Sequence, residues 1–393
     1  MDVEYLMARK IYVHTNDDEL PITQGQDKVW RIRSYRAAQA LLRCTNTKQA
    51  GLGIDAAKML PPHIKRPIIF QDGLKHREQR RQTAPYFTRQ KVVRRYHSII
   101  VNLAEKYVGE IKQSNLVDLS DLSTQMATSV AAEVLGLVNG PPGLHKRIER
   151  FLSDKYKPGF YSPLAIYALF RNIALVVDLY WRDIRPSVKY RCTTPQDDLI
   201  THLIKSEATI GEIIGECLTF TIAGMVTTRD FINVAAWHLF TDEKLKRRYI
   251  AAYEEERHAL LYELVRLEPS ANLKRRTTAP VKLPCGQSEI TIPEDSLVEV
   301  ILSTVNIDPK IMGKSPLAIC GSRAKVPGRF PGGLSFGDGA HKCPGEHLAI
   351  READAFLFSL FSIKNLQMIK EPAISTNKLL GTYRINKFMV GIL

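Results

Sequence analysis

Phe336-Gly337-Asp338-Gly339-Ala340-His341-Lys342-Cys343-Pro344-Gly345 is the stretch on which the reading of this 393-residue chain turns. Gly337 and Gly339 lack Cβ atoms, so the backbone there can take positive φ and pass close to a flat ligand. Phe336 can pack against that plane. Pro344 suits a first helical position, which makes Cys343 the expected N-cap of a helix running on from Gly345. A sulfur at a helix N-terminus faces free N–H groups and the positive end of the dipole, and both favour the thiolate. His341 is placed to donate to a carboxylate at the rim of a bound cofactor. A thiolate ligand on haem iron pushes electron density onto the metal and favours O–O cleavage. Two plainer readings compete: a small buried thiol in a turn, and a zinc site made of His341, Cys343 and His347. Zinc is disfavoured because no second cysteine stands at the usual short spacing.

Working outward, 209–240 is the longest helical pattern, and it contains Ala223-Gly224-Met225-Val226-Thr227-Thr228. A mid-helix glycine costs about 1 kcal/mol against alanine. A threonine there tends to bond back to a carbonyl one turn earlier. The pair makes a small-residue notch with a hydroxyl, suited to a diatomic ligand and water. Glu263 and Arg266 share a helix face at i, i+3 ahead of Pro269, which alone would be a surface pair of small value. His76 and Arg80 share a face at i, i+4, as donors for an acid group or merely as an exposed basic helix.

Elsewhere, 28–34 alternates like a strand and 35–44 reads as a helix. Helical patterns cover 74–113 with a break at Pro85, then 119–137, 197–206 and two more within 242–267, while 145–190 is unusual in its clustered aromatics and aliphatics. Strands are expected at 281–290, 297–305 and 381–393, with an irregular stretch over 306–335. The class is mainly α with a minor β portion, helix-rich over 74–267. The absence of a linker favours one integrated domain over 1–393. The aliphatic and aromatic cluster at 159–180 reads as a buried helix pair, with contact to a membrane surface as the alternative.

At 45% hydrophobic residues the chain can bury a large core. No 18-residue apolar run or signal architecture is evident, so no membrane anchor is expected. Six cysteines without paired spacing suit a reducing cytoplasm. The formal net charge of +14 calls for an anionic partner. The basic clusters are dispersed and carry no nucleic-acid fingerprint, so nucleic acid is not the expected partner.

In order and spacing these motifs resemble the cytochrome P450 family, of the soluble prokaryotic type, from about residue 28 onward; residues 1–27 match poorly. The resemblance implies haem b between the long central helix and the cysteine-loop helix, with Cys343 as the axial ligand of the iron. Phe336, Gly337 and Gly345 would shape the cofactor loop. His76, Arg80, His341 and Arg276 (with Arg275 as alternate) would hold the propionates. Ala223, Gly224 and Thr227 would form the oxygen groove. The family usually has an acid before that threonine, where this chain has Val226; Asp230 or Thr228 could take over its proton relay. Glu263 and Arg266 would support the cysteine loop, completed by Arg323, with Arg329 as second choice. Ile307 stands where the family often has arginine.

The implied activity is a monooxygenase that inserts one atom of O2 into a hydrophobic molecule such as a terpenoid, fatty acid, steroid or aromatic natural product. Electrons would come from NAD(P)H through a reductase and an acidic ferredoxin-type partner, docking near Lys342, Arg77 and Arg81. A monomer is expected. The pocket would draw on 49–72, 145–190 and 219–226. Two rivals are a peroxide-driven, desaturating or coupling haem-thiolate enzyme, for which Val226 is the motive, and a non-catalytic haem or ligand carrier.

Overall fold

The chain is built around one long helix. Thr209 caps it: its hydroxyl accepts from the Glu212 N–H at 3.3 Å, and the Glu212 carboxylate accepts from the Thr209 N–H at 2.7 Å. This reciprocal box fixes the helix start. The computed structural model describes residues 20–51, 66–114, 116–152, 163–325, 330–377 and 380–393. Arg329, residues 1–19, and the parts of the expected pocket at 52–65 and 153–162 lie outside the described residues.

The principal helices are α1 (Tyr35–Arg43), α2 (Gly73–Thr83), α3 (His97–Ser114), α4 (Leu119–Leu135), α5 (Leu144–Glu149), α6 (Pro163–Leu179), α7 (Arg185–Thr193), α8 (Leu199–Lys205), α9 (Ile210–Thr241), α10 (Glu243–Ala251), α11 (Glu254–Leu267) and α12 (Glu346–Phe361). The strands are β1 (Ile22–Gln24), β2 (Trp30–Ile32), β3 (Thr47–Gln49), β4 (Leu116–Asp118), β5 (Leu273–Thr277), β6 (Val281–Cys285), β7 (Ser288–Ile292), β8 (Leu297–Val300), β9 (Leu366–Met368), β10 (Ala373–Asn377), β11 (Thr382–Asn386) and β12 (Met389–Ile392).

The largest core joins α3, α4, the second half of α9, α11 and α12 through side chains such as Ile100, Val130, Trp237, Leu264 and Phe356. A second core lies between α1 and the β-rich part, with Leu41, Val281, Val298 and Leu334. The third packs the first half of α9 through Ile213, Cys217 and Met225 against Leu179, Ile184 and Leu199. The main sheet has the order β1-β2-β8-β5-β3, in which β2 and β8 are parallel with Trp30 opposite Val298. Strands β4, β12 and β9 form a second sheet, and β6–β7 and β10–β11 are hairpins.

Several expectations need correction. The strand expected at 281–290 is the hairpin β6–β7, because Gly286 at φ +68° reverses the chain. The strand expected at 297–305 stops at Val300, and a one-turn helix over Leu302–Val305 follows with Leu302 and Val305 buried. The basic run Lys274-Arg275-Arg276 is not on a helix. It belongs to β5, an inner strand of the main sheet, and Arg275 points inward. Of the 159–180 stretch, residues 159–162 lie outside the described residues, and the described remainder has a bare apolar face. Helix α6 buries Leu179 but exposes Tyr167, Phe170, Ile173 and Val177. Among the described residues α9 is long and apolar enough to cross a bilayer by length and composition, contrary to expectation. Here its second half is packed among α3, α4, α11 and α12.

Candidate active site

The cysteine loop is closed by its own backbone. The Cys343 N–H donates to the Phe336 carbonyl at 2.7 Å, and the Gly337 N–H donates to the Leu334 carbonyl at 2.8 Å. Gly337 and Gly339 sit at φ +71° and +67°. A Cβ at Gly339 would collide with the Leu42 carbonyl oxygen, so that turn packs on the end of α1. Asp338 bonds the Gly339 N–H at 2.7 Å and Arg43 Nε at 2.8 Å, fastening the loop to α1 a second time.

Helix α12 begins two residues later than the sequence indicates. Glu346 is its first residue and Gly345 its N-cap, so Cys343 precedes the cap and Pro344 is not the first helical residue. The Gly345 N–H still reaches the sulfur and, with Arg80, pulls the thiol pKa down. Burial outweighs them and pushes it up. The expectation of a favoured free thiolate is therefore corrected: desolvation of the charged form wins. As a residue Cys343 is nonetheless exposed. Exposure of the residue together with crowding of its thiol by protein atoms fits a recess rather than a convex surface.

Cations gather along that recess. On α2, His76 and Gln79 are buried and Arg80 is half-buried, whereas Lys75, Arg77 and Glu78 face outward. The exposed-helix reading of His76 and Arg80 is thereby excluded. Arg80 donates to the Lys342 carbonyl, beside the cysteine. The His76 ring stacks on His341 at a centroid distance of 4.1 Å. His341 Nε2 lies 3.0 Å from Asp72 Oδ1. Burial, helped by the fields of His341 and Arg80, lowers the His76 pKa to about 4, so that ring is neutral at pH 7. Arg275 completes the group. It is buried, its field reaches His76, and desolvation lowers its pKa to about 10 against the pull of Asp72. Arg276, its neighbour on the pleat, turns the other way and donates to the Asp295 carbonyl at 2.8 Å. The alternation of strand side chains makes Arg275, not Arg276, the arginine of this recess.

Along α9, Thr219, Phe220, Ala223, Gly224 and Thr227 remain accessible, while Met225, Val226, Thr228, Arg229 and Asp230 are buried. The accessible positions recur at helical spacing and form one stripe. The Thr227 hydroxyl donates to the Ala223 carbonyl at 2.8 Å, the back-bond expected of a threonine there. Thr228 faces away from the stripe into the packed interior. Asp230 is held between Arg229 Nε at 3.6 Å and Arg384 Nε of β11 at 3.4 Å, so its charge is engaged by two guanidinium groups.

Behind the loop lies a buried polar network. Glu263 accepts from Arg266 Nε at 2.8 Å and Nη2 at 2.9 Å, from Arg323 Nε at 3.0 Å, and from the Cys320 N–H at 3.1 Å. Arg266 also donates to the Asn306 carbonyl at 2.9 Å. Asn306 accepts from the Leu334 N–H at 2.8 Å and donates to Ser335 Oγ at 2.8 Å, which carries the network to the start of the cysteine loop. Phe336 packs edge-on against Tyr262 of α11 at 6.2 Å between ring centres.

No family model matches the chain. Among curated proteins, the chain is similar to one named cytochrome P450 109 from Bacillus spizizenii, 25% identical over 344 residues covering 85% of this chain and 78% of that protein. The biotin biosynthesis cytochrome P450 of Bacillus subtilis is 24% identical over 346 residues, 84% of this chain and 82% of its own length. Among solved structures, cytochrome P450 CYP109B1 from Bacillus subtilis superposes with a TM-score of 0.77 at 19% identity, covering 96% of this chain and 97% of that one. A mutant of P450 EryK in complex with erythromycin B gives 0.75 at 21% identity, over 99% and 96%.

In sequence and in fold the chain is similar to the bacterial cytochromes P450.

It has the fold of that family and is an enzyme of the haem-thiolate monooxygenase kind. The residues of this chain fit a haem. A sulfur in a recess offers one soft ligand. The rim sets Arg80 and Arg275 beside His76 and His341 against the single carboxylate of Asp72, an excess of donors and positive charge that suits two propionates. Sequence reasoning missed Asp72 and Asn306 as working parts. Asp72 precedes α2 as its N-cap but spends its carboxylate on the Gln49 N–H and His341, which no local pattern reveals.

Proposed function

We propose that this chain holds haem b through Cys343 and inserts an oxygen atom from O2 into a hydrophobic small molecule. A thiolate-ligated haem supplies the activation of O2. The remaining tasks fall to side chains. Arg80, Arg275 and His341 would hold the propionates, with His76 packed beside them, and Asp72 would orient His341. Thr227 and Gly224 would leave room for the diatomic and offer a hydroxyl beside it, and Phe220 and Thr219 would face the substrate. Glu263, Arg266 and Arg323 would keep the loop rigid, so that the sulfur does not drift.

The observation that carries the reading is the position of Cys343: an exposed residue whose thiol is crowded by protein atoms, with Arg80 bonded to the neighbouring Lys342 carbonyl. Relatives support an apolar substrate. Their names include cyclooctat-9-en-7-ol 5-monooxygenase from Streptomyces melanosporofaciens and beta-dihydromenaquinone-9 omega-hydroxylase from Mycobacterium tuberculosis. Structures with a similar fold hold corticosterone or testosterone. Electrons would come from NAD(P)H through a reductase and an acidic ferredoxin, drawn by the net charge of +14. The enzyme would work in the cytoplasm as a monomer and as one catalytic domain.

The test is a carbon monoxide difference spectrum of the reduced holoenzyme. A strongly red-shifted Soret band, lost in Cys343→Ala, supports the reading; nitrogen coordination, or no haem uptake, overturns it. One observation favours a second reading. Val226 is buried where the family's acid stands, and Asp230 is engaged by Arg229 and Arg384. A peroxide-driven enzyme needs less from such a relay. Turnover with hydrogen peroxide that exceeds turnover with ferredoxin, reductase and NAD(P)H would select it.

A further inference from the structure

The segment formed by α6 and the following π-helical turn (Tyr180–Ile184) has two unlike faces. Its inner face carries Leu179 and Ile184 into the core that surrounds Ile213 and Cys217 of α9, so the segment covers the N-terminal half of that helix. Its outer face exposes Tyr167, Phe170, Ile173, Val177 and Trp181, which are 47–66% accessible. These five recur three or four residues apart and so form one continuous stripe along the helix. A stripe of this size on a helix is unusual where only water faces it. The two ends bear Tyr167 and Trp181, side chains that favour a boundary between apolar and aqueous phases.

The polar surroundings of the stripe are basic. Over residues 163–193 the accessible charges are Arg171, Arg182, Arg185 and Lys189 against one accessible carboxylate, Asp178. Arg185 stacks on the Trp181 ring at 4.6 Å, which places a cation directly beside the stripe. On the flank, a cleft of about 350 Å³ is lined by Arg147, Arg150 and Arg182 together with Ala174, Leu175 and Asp178. Arg147 is committed to Asp183, at 2.7 and 2.6 Å. Arg150 and Arg182 share the single carboxylate of Asp178, at 3.7 and 2.7 Å. An apolar stripe edged by surplus guanidinium groups is the pattern of a helix that lies flat in the headgroup layer of an anionic bilayer.

We propose that the outer face of this segment docks on an anionic lipid surface. Tyr167, Phe170, Ile173, Val177 and Trp181 enter the acyl boundary, and Arg150, Arg182, Arg185 and Lys189 meet phosphate headgroups. Docking sets the layer that covers α9 against the reservoir in which apolar molecules dissolve. The proposal does not depend on which ligand Cys343 holds, since it concerns only the outer surface.

The haem-loaded protein is sedimented with vesicles of pure phosphatidylcholine, or of phosphatidylcholine with about a third phosphatidylglycerol. Wild-type protein is expected on the anionic vesicles and not on the neutral ones, with binding lost on raising the salt. Phe170→Glu with Trp181→Glu, and separately Arg182→Glu with Arg185→Glu, should each weaken partition by about tenfold or more. An unchanged absorption spectrum in both variants shows that they are folded. Quenching of tryptophan fluorescence by brominated lipid should vanish in Trp181→Phe. The proposal is overturned if the wild type ignores anionic vesicles, or if both double variants bind as it does. It is equally overturned if the face mediates self-association, seen as a dimer that Phe170→Glu disperses and no vesicle binding.

Discussion

Replacing Glu263 by alanine should cost far more than replacing Arg323, although both belong to one network. Without Glu263, Arg266 is left 1% exposed with its charge unopposed and only backbone carbonyls as acceptors, those of Asn306 and Ala318. Stranding a buried charge in this way costs about 3–5 kcal/mol. Against a native stability of about 5–15 kcal/mol, that is about a fifth or more of the total. With an unfolding entropy near 2 cal/mol/K per residue over a chain of this length, the midpoint should fall by about 5 °C. Arg323→Ala leaves Glu263 with both bonds to Arg266 and the Cys320 N–H, and should cost about 2 kcal/mol. Because Asn306 passes the network on to Leu334 and Ser335, Glu263→Ala should also loosen the cysteine loop. The assay is denaturant unfolding of the holoenzyme, followed by circular dichroism and by the Soret band. Equal costs for the two variants, or a cost below about 1 kcal/mol for Glu263→Ala, would refute the assignment of a stranded charge.

Three further outcomes are expected. Gly339→Ala puts a Cβ into the Leu42 carbonyl at a positive φ, and should cost about 1–3 kcal/mol while broadening the Soret band, read by melting and absorption. His76, lowered to about 4, stays neutral in the fold while an unfolded histidine would be protonated; its stabilisation is full above about pH 6.5 and disappears as pH falls toward 4. His76→Gln should therefore lose less stability than wild type between pH 7 and 5 in denaturant titrations. Glu352, buried on α12 and raised by burial to about 8, acts in the opposite sense: the protonated fold is favoured below about pH 4.5 and that advantage is lost as pH rises toward 8. Glu352→Gln should consequently gain stability relative to wild type on moving from pH 5 to 8, measured by the same titration.

Long amphipathic patterns were readable because their periodicity extends over many turns, as with α3, α4 and α9. The cysteine loop was readable for a different reason: two glycines, a histidine and a cysteine at fixed offsets leave few alternatives. Strands β3, β4 and β9 span three residues each, too few for a period to show, and their partners lie far away in the chain. The choice between Arg275 and Arg276 depends on which side of β5 faces the recess. That side is set by pairing with β8 and β3, and a slip of one residue would exchange the two. The start of α12 was misplaced because Pro344 fits a first turn equally well in two registers. The exposure of Phe170 and Trp181 could not be read at all, since a buried pair of helices and a helix with one bare apolar face share a composition.

Strand β2 pairs locally with β1, but on its other edge it lies parallel to β8, so residues 30–32 find their second partners only at 298–300. The Leu42 carbonyl likewise waits for Gly339. On the ribosome, the strands between residues 22 and 49 cannot complete their sheet until β5 and β8, which end at Val300 of 393 residues, have been made. Pairings of such separation are slow to form and leave an open edge while they wait. Cells producing this protein should accordingly depend on holding chaperones or on slow synthesis at low temperature, and shortening the chain from its C-terminal side should cost the N-terminal strands their order as well.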